Sequence, residues 1–514
     1  MESVSNFELA PLPISPEEIK EIVETQVVVV GGGLAGLSAA LSAAEAGART
    51  ILLEKGPGYN FRGIHNAAIA SRLQKKAGIK IDKQQLIYTI METSAYRGNQ
   101  KVVKTWADNC DQVMDWLLDM AEAANVKVVL DPTTKPWYFP NYPVIHVFDT
   151  EHYSFQESLA RILVSNAKAW GVDFRFNTPA VRLIRERNGR VTGLMARNAD
   201  SNYIQFNTSR AVILCTGDYG SDRQMVEKYC WKGVKDIPSL YPAMTELAYA
   251  AQKITGPYDS RPNTGDGHKM GMWIGAAIDD PPHCAMLFDY TIWSTPKLFD
   301  LARQPWLYVN MNGERFMNED LPWGYESAQL LQQPQNIAWS LWDAKYDQEW
   351  PKMRSQCCKN MGPPTNLWNP KWLPKAIAEG NVLTANTIEE LAKKIDVPSE
   401  TFKATVKRYN EQTERGEDID FGKHPDRLTT LEKPLFYAAQ ITAVYLVILG
   451  GLKINPRLQV LDTKGDVIPG LYAAGNVSGS FFGSQYPTTV PGLSHSRAWT
   501  FGRLAGLNAA DEKP

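Results

Sequence analysis

The sequence has no C-x-x-C pair, no apolar run long enough to span a bilayer and no excess of basic charge. Each absence closes a class of function. The six cysteines, Cys110, Cys215, Cys230, Cys284, Cys357 and Cys358, lack the spacing of a zinc site or an iron–sulfur cluster, so no metal is expected. The adjacent pair Cys357 and Cys358 would bridge poorly, and all six read as thiols in a reducing compartment. A formal net charge of −2 argues against nucleic acid or an anionic membrane as partner. Nothing approaches the roughly 20 apolar residues of a membrane span. The first residues carry neither the basic nor the apolar region of a secretory signal, which makes a cytoplasmic location the expectation; export with a signal since removed is the alternative the sequence leaves open. What is present is ordinary in bulk. Hydrophobic residues make up 44% and charged residues 21%, and 514 residues are enough for two or more lobes. The 15 Trp and 21 Tyr are generous, and aromatics line pockets for flat ligands as well as cores.

Against that background one stretch, residues 26–56, is specific. Val27 to Val30 form a continuous β-branched run, as in a parallel strand buried on both faces. Gly31, Gly33 and Gly36 follow in G-x-G-x-x-G spacing, giving a tight turn, a close approach of backbone to a pyrophosphate, and close packing of helix on strand. Leu34 and Ala35 open the helix whose free N–H groups face a diphosphate. Ile51 to Leu53 read as the next strand, and Glu54 ends it with a carboxylate placed to accept ribose hydroxyls. The glycines alone would be weak; strand, helix and acid around them define a dinucleotide site.

Further along, Ser15-Pro16-Glu17-Glu18 reads as a capped short helix entering the first strand. Helical spacing covers residues 101–125 and 155–170, and strands are expected over 174–185 and 191–195 around Asn188-Gly189. Ala211 to Cys215 and Gly470 to Ala473 read as two more buried strands ending in glycine turns, and a helix is expected over 494–510. A dinucleotide fold therefore opens the chain and closes it, with an insertion between. The aromatic run 135–143 fits either a loop over a pocket mouth or a packed surface loop.

Several ordered motifs carry a family resemblance: VVVVGGGLAGLSAA, ILLEKG, VILCTGDYG, NTGDGHKMGMWIGAA, VNMNGERFMNED, TVKRYNEQTERGEDIDFGK and GLYAAGN…FGRLAG. Together, over about residues 26–510, they resemble the fumarate reductase/succinate dehydrogenase flavoprotein superfamily. The resemblance implies an α/β fold: a Rossmann-like FAD-binding domain in two sequence segments, 1–290 and 433–514, with an inserted α+β capping domain, 291–432. It also implies a substrate held between cap and isoalloxazine. The FAD contacts it implies are Gly31, Gly33, Leu34, Ala35, Gly36, Glu54, Lys55, Gly63, Asn66, Ala67, Ala180, Val181, Thr216, Gly217, Asp266, Gly475, Asn476, Gly492 and Leu493. His65 lies near the place where succinate dehydrogenases attach FAD covalently, so covalent and non-covalent FAD both stay open.

The departures from that superfamily are informative. Its fumarate reductases carry a proton-donating Arg shortly after the RFMNE-type segment; here Arg315 to Glu319 lead into Asp320-Leu321-Pro322-Trp323-Gly324-Tyr325. Their carboxylate-binding His before G-G is replaced in the apolar Val447-Ile448-Leu449-Gly450-Gly451, and their second Arg in Gly483-Ser484-Gln485-Tyr486-Pro487. A dicarboxylate would lose charge-assisted bonds of about 1.5–3 kcal/mol each. The replacements resemble the 3-ketosteroid dehydrogenase branch, in which a Tyr-Pro and a later glycine polarise a ketone; Tyr486-Pro487 and Gly492 fit those roles. The resemblance therefore implies reduction of an activated C=C bond in an enone or conjugated aromatic alkene. Tyr486 would serve as proton donor or carbonyl clamp, Gly492 as oxyanion backbone, Tyr325 as second candidate acid and Trp323 as substrate contact. Desaturation of a cyclic ketone, an electron-carrying flavoprotein without a substrate, and an oxidase are the competing readings. His283 reads as structural, and His495 and Arg497 as facing flavin or solvent. No C-x-x-C-H haem motif and no second G-x-G-x-x-G occurs, so a separate electron donor or acceptor is expected beside the small-molecule substrate.

Overall fold

The computed structural model describes residues 6–130, 142–148, 156–291, 299–353 and 372–513, apart from 199, 256, 258 and 260. Cys357, Cys358 and most of the aromatic run 135–143 lie outside the described residues.

The β-branched run at residue 27 is the inner end of a longer strand, Ile19–Val30, whose last four residues are wholly buried. It pairs in parallel with Thr50–Leu53 on one side and Tyr203–Leu214 on the other. Val467–Ala473 adds in parallel beside Tyr203–Leu214, and Asp173–Arg175 beside Thr50–Leu53. The C-terminal strand thus enters the same sheet as the N-terminal one. A hairpin, Ala180–Arg185 and Val191–Arg197, leans antiparallel on Tyr203–Leu214. The short helix before the first strand is one 3-10 turn, Pro16–Glu18, with the expected capping box: Ser15 N donates to Glu18 at 2.9 Å.

Up to its last residue, Glu45, helix Leu34–Glu45 is built from Leu, Ala, Ser and Gly, small enough to lie under the C-terminal helix Leu493–Ala510. A Cβ at Gly502 would come 2.3 Å from Ala35 O, and one at Gly506 equally close to Ala39 O. The two helices touch backbone to backbone, which is why the ends of the chain behave as one unit.

A second, largely antiparallel sheet joins Ala285–Thr291, Phe436–Ile448, Ile337–Asp343 and Leu307–Asn310, with Leu383–Ala385 on Phe436–Ile448. Helix Trp323–Leu330 packs against its first strand. Below that helix Arg315 binds Glu319 and Asp418, and the buried Lys423 lies 3.2 Å from Glu319. Two cations there compensate two buried carboxylates, holding both below the ordinary range against the opposing effect of burial. No helix among the described residues is long and apolar enough to cross a membrane, and no cluster there is of metal-binding type.

Candidate active site

Two adjoining cavities run along the carboxyl ends of the parallel strands, where ligands of open α/β sheets bind. They share Gly33, Asn60, Arg62, Cys215 and Gly217. The first, about 660 Å³, is walled by the glycine turn, Glu54, Lys55, Ala180, Thr216 and Asp266. The second, about 1010 Å³, begins at Leu34 and Ala35 and ends among Met286, Phe288, Trp323, Val447, Tyr486 and Gly492.

The first cavity suits an adenine dinucleotide. Helix Leu34–Glu45 starts at Gly33 with no side-chain cap, leaving its first-turn amides for a ligand. A Cβ at Gly36 would stand 1.8 Å from Gly31 O, so this glycine serves the close approach of helix to turn rather than lining the space. Glu54 accepts from Gly32 N at 2.6 Å and Gly56 N at 2.7 Å, which fixes its carboxylate at the cavity wall. Burial raises its pKa against those two bonds. Lys55 donates to Thr264 and Asp266 at 2.8 and 2.7 Å, tying the acid's neighbour to a distant loop. Thr216 also belongs to this wall, with its Oγ1 close enough to Gly267 that a Cβ there would stand 2.2 Å away. The donor set fits FAD.

The second cavity has a different chemistry. Phe288 stacks on Trp323 with centroids 3.7 Å apart, and Tyr486 lies 5.9 Å from Trp323 and 5.4 Å from Phe482. Met286, Leu446 and Val447 complete an apolar wall. Tyr486 is 5% exposed, and its hydroxyl accepts from Ser494 N at 3.1 Å, inside the first turn of helix Leu493–Ala510. That helix starts at Gly492, where φ is +79° and a Cβ would lie 2.7 Å from His65 C. Only glycine fits both demands. His495 donates from Nδ1 to His65 O at 2.8 Å, a tautomer assigned from that bond, and burial holds its pKa at about 4, so it stays neutral. Arg62 is the one permanent cation in this lining among the described residues. It lies 4.0 Å from buried Asp218, and burial lowers it to about 10 against that carboxylate's pull.

The remaining sequence candidates separate cleanly. Gly63, Gly475 and Asn476 line the second cavity. Asn66 and Ala67 do not: Asn66 accepts from Trp499 at 3.1 Å, and Ala67 N donates to Gly492 O, so this pair braces the glycine turn from behind. Val181 and Leu493 sit one residue beyond lining positions. Tyr325 lies outside both cavities; its side chain bonds Thr93, and burial raises its pKa. His283 bonds Tyr219 at 2.6 Å and Asp279 O at 2.8 Å within a buried network. Arg497 holds Ser478 O and Asn476 rather than facing either cavity. Asn60, Arg62, Thr178, Asn263, Met286 and Phe288 line the cavities without having been singled out. Arg62 adjoins Gly63 and was within reach of the motif; Met286 and Phe288 come from a strand with no motif.

The fold and the first cavity define a dinucleotide-binding flavoprotein. The FAD binding domain family matches residues 26–489, and the chain belongs to it, within the fumarate reductase/succinate dehydrogenase flavoprotein superfamily. It is an FAD-dependent oxidoreductase. It is 28% identical over 506 residues to a vinyl phenol reductase of Lactiplantibacillus plantarum, covering 94% of this chain and 96% of that protein. It is 27% identical to a fumarate reductase (cytochrome) of Shewanella frigidimarina, covering 94% and 76%. Its fold matches 3-ketosteroid Δ4-(5α)-dehydrogenase from Rhodococcus jostii RHA1 with a TM-score of 0.71, at 22% identity, over 97% of this chain and 99% of that one.

Proposed function

We propose that the chain reduces an activated C=C bond in a neutral or weakly polar flat molecule, an enone or a conjugated aromatic alkene, and not a dicarboxylate. The observation that carries this reading is the wall of the second cavity: Met286, Phe288, Trp323, Leu446, Val447 and Tyr486 stand where a dicarboxylate would need cations. Similarity along almost the whole length of a vinyl phenol reductase points the same way.

The glycine turn, the first turn of helix Leu34–Glu45, Glu54 and Lys55 would hold FAD, which when bound would supply the hydride. The chain supplies the rest. Phe288 and Trp323 present flat apolar surface that excludes water and orients a planar skeleton. Tyr486 accepts from Ser494 N, which holds its hydroxyl oxygen at the N-terminus of helix Leu493–Ala510. It delivers a proton, or clamps a carbonyl oxygen, as negative charge builds on the substrate. The positive end of the dipole of helix Leu493–Ala510 favours that negative charge. His495, neutral, adds no cation that would recruit a carboxylate.

The reverse reaction, desaturation of a cyclic ketone, uses the same residues, and the ketosteroid dehydrogenase fold favours it as the second reading. Electrons come from a separate carrier. The described cysteines Cys110, Cys215, Cys230 and Cys284 are free thiols, which suits a cytoplasmic setting. The test is product formation with chemically reduced viologen as electron source. 4-Vinylphenol and 2-cyclohexenone are offered beside fumarate, and saturated product is expected from at least one of the first two and none from fumarate. Succinate as the main product contradicts the proposal.

A further inference from the structure

The middle of the second cavity holds a hydrogen-bond acceptor that the protein itself does not use. His495, in the first turn of helix Leu493–Ala510, is half-buried and lines this cavity beside Arg62, Gly63 and His65. Its Nδ1 donates to His65 O at 2.8 Å, which leaves Nε2 with a lone pair and no proton. That bond is the only one His495 makes among the described residues, and Nε2 is not one of the polar atoms sealed from solvent there. Gly63, with φ of +70°, faces the same edge of the ring: a Cβ there would stand 2.7 Å from Nε2. A side chain at position 63 would close off the atom that glycine leaves open. Burial and the nearby Arg62 cation keep the ring neutral, so the lone pair persists at neutral pH.

Position narrows the ligand. One end of the cavity starts at Leu34 and Ala35 beside the glycine turn, and the other closes at the aromatic wall. Arg62, whose charge acts on His495, borders both cavities, so the imidazole stands on the stretch that joins the dinucleotide end to the substrate end. The flavin half of FAD belongs on that stretch. It carries ribityl hydroxyls and one ring N–H, all neutral donors, whereas an ionised phosphate has no proton to give. We propose that His495 is a cofactor-binding residue: its Nε2 accepts a hydrogen bond from a hydroxyl or the ring N–H of the flavin half of FAD. One ring then ties the cofactor, through His65 O, to the segment that braces the turn at Gly492. The inference concerns the cofactor alone and holds whichever alkene is reduced.

The experiment separates the two ring nitrogens. An asparagine amide takes the place of Nδ1, and a glutamine amide that of Nε2. Purified holoprotein of wild type, His495→Asn and His495→Gln is diluted, and the FAD dissociation constant is read from the flavin fluorescence released. His495→Asn keeps a donor for His65 O and loses the acceptor; it should bind FAD about tenfold more weakly, the scale of one hydrogen bond. His495→Gln loses the bond to His65 O and keeps an acceptor at the cavity; it should bind FAD within about threefold of wild type. Asparagine holding FAD as wild type does, or glutamine releasing it as readily as asparagine, overturns the inference. Unchanged FAD binding in all three, with 4-ethylphenol affinity weakened in His495→Asn alone, assigns the acceptor to the substrate and overturns it equally. Should neither variant fold, wild-type holoprotein with ¹⁵N-labelled histidine decides. Nε2 of His495 is expected without a proton, and its ring with a nuclear Overhauser contact to FAD; a protonated Nε2 or no such contact overturns the inference. Alkene turnover is read on the same preparations, so that a failure of the proposed reaction is seen separately from a failure of this contact.

Discussion

Tyr486 and Glu54 have different kinds of neighbour, and each difference has a measurable consequence. Tyr486 sits between an aromatic wall and a helix N-terminus, so its hydroxyl accepts from a backbone N–H while its ring is packed by Trp323 and Phe482. Tyr486→Phe keeps the packing and removes the proton; kcat for alkene reduction should fall by about 10²–10⁴, with the flavin spectrum and melting temperature unchanged. Glu54 is held by two backbone amides, of which Gln can keep only one as an acceptor. Glu54→Gln should weaken FAD binding by roughly tenfold or more, read by titrating apoprotein with FAD. Both residues were legible from sequence because each belongs to a motif with a fixed spacing. Tyr325 was not, although it stands beside Trp323. Residues two apart on a helix face different ways, so the turn that brings Trp323 to the cavity carries Tyr325 away toward Thr93.

At the level of elements, hydrophobic pattern gave the parallel strands and both helices that seat the cofactor, but it gave only their buried ends. Ile19–Val30 and Tyr203–Leu214 each extend well beyond the apolar run, because their outer halves alternate against the hairpin and solvent. Phe288 was invisible for a related reason. It lies on a strand of the second sheet whose partner, Phe436–Ile448, is some 150 residues away in sequence, and nothing local marks which face meets the cavity. The element most sensitive to change is the turn at Gly492. It combines positive φ, contact with the His65 and Asn66 backbone, and the start of the helix whose N–H holds Tyr486. Gly492→Ala should lower stability by about 1–3 kcal/mol and lower FAD retention, seen as a reduced melting temperature and a lower flavin-to-protein ratio. The same substitution at Gly47, which has φ of +81° but nothing within 4 Å, should retain FAD and so separate backbone strain from loss of the seat.

For the whole molecule, buried titratable groups set how stability responds to acid. His146, His283 and His495 are held near a pKa of 4 and His268 near 3, all chiefly by burial. Each binds a proton more readily once unfolded. The stability they contribute is therefore complete above about pH 6.5 and is lost as pH falls toward their folded values. Asp279 works in the opposite sense. Burial raises it to about 6 despite bonds from Ser480 N and Gly451 N, so its contribution is complete below its ordinary value of 3.8 and is lost as pH rises through 6. Between pH 7 and 5, His268→Gln should flatten the fall in melting temperature and Asp279→Asn should steepen it; equal slopes in all three proteins would contradict these assignments. None of this was legible in the sequence, since it depends on which polar residues the two sheets enclose.

Under the proposed function the apolar cavity receives a neutral alkene and Tyr486 completes its reduction. The most direct measurement is a single turnover. FAD in the holoprotein is reduced chemically without oxygen, then mixed with fumarate, a cinnamate, a stilbene, 4-vinylphenol or a 3-keto-4-ene steroid, and the return of the oxidised flavin band is followed. Rapid return is expected with at least one neutral enone or aromatic alkene, with loss of that return in Tyr486→Phe and no return with fumarate. Rapid reoxidation by fumarate, or reoxidation by a neutral alkene that Tyr486→Phe leaves unchanged, would contradict it.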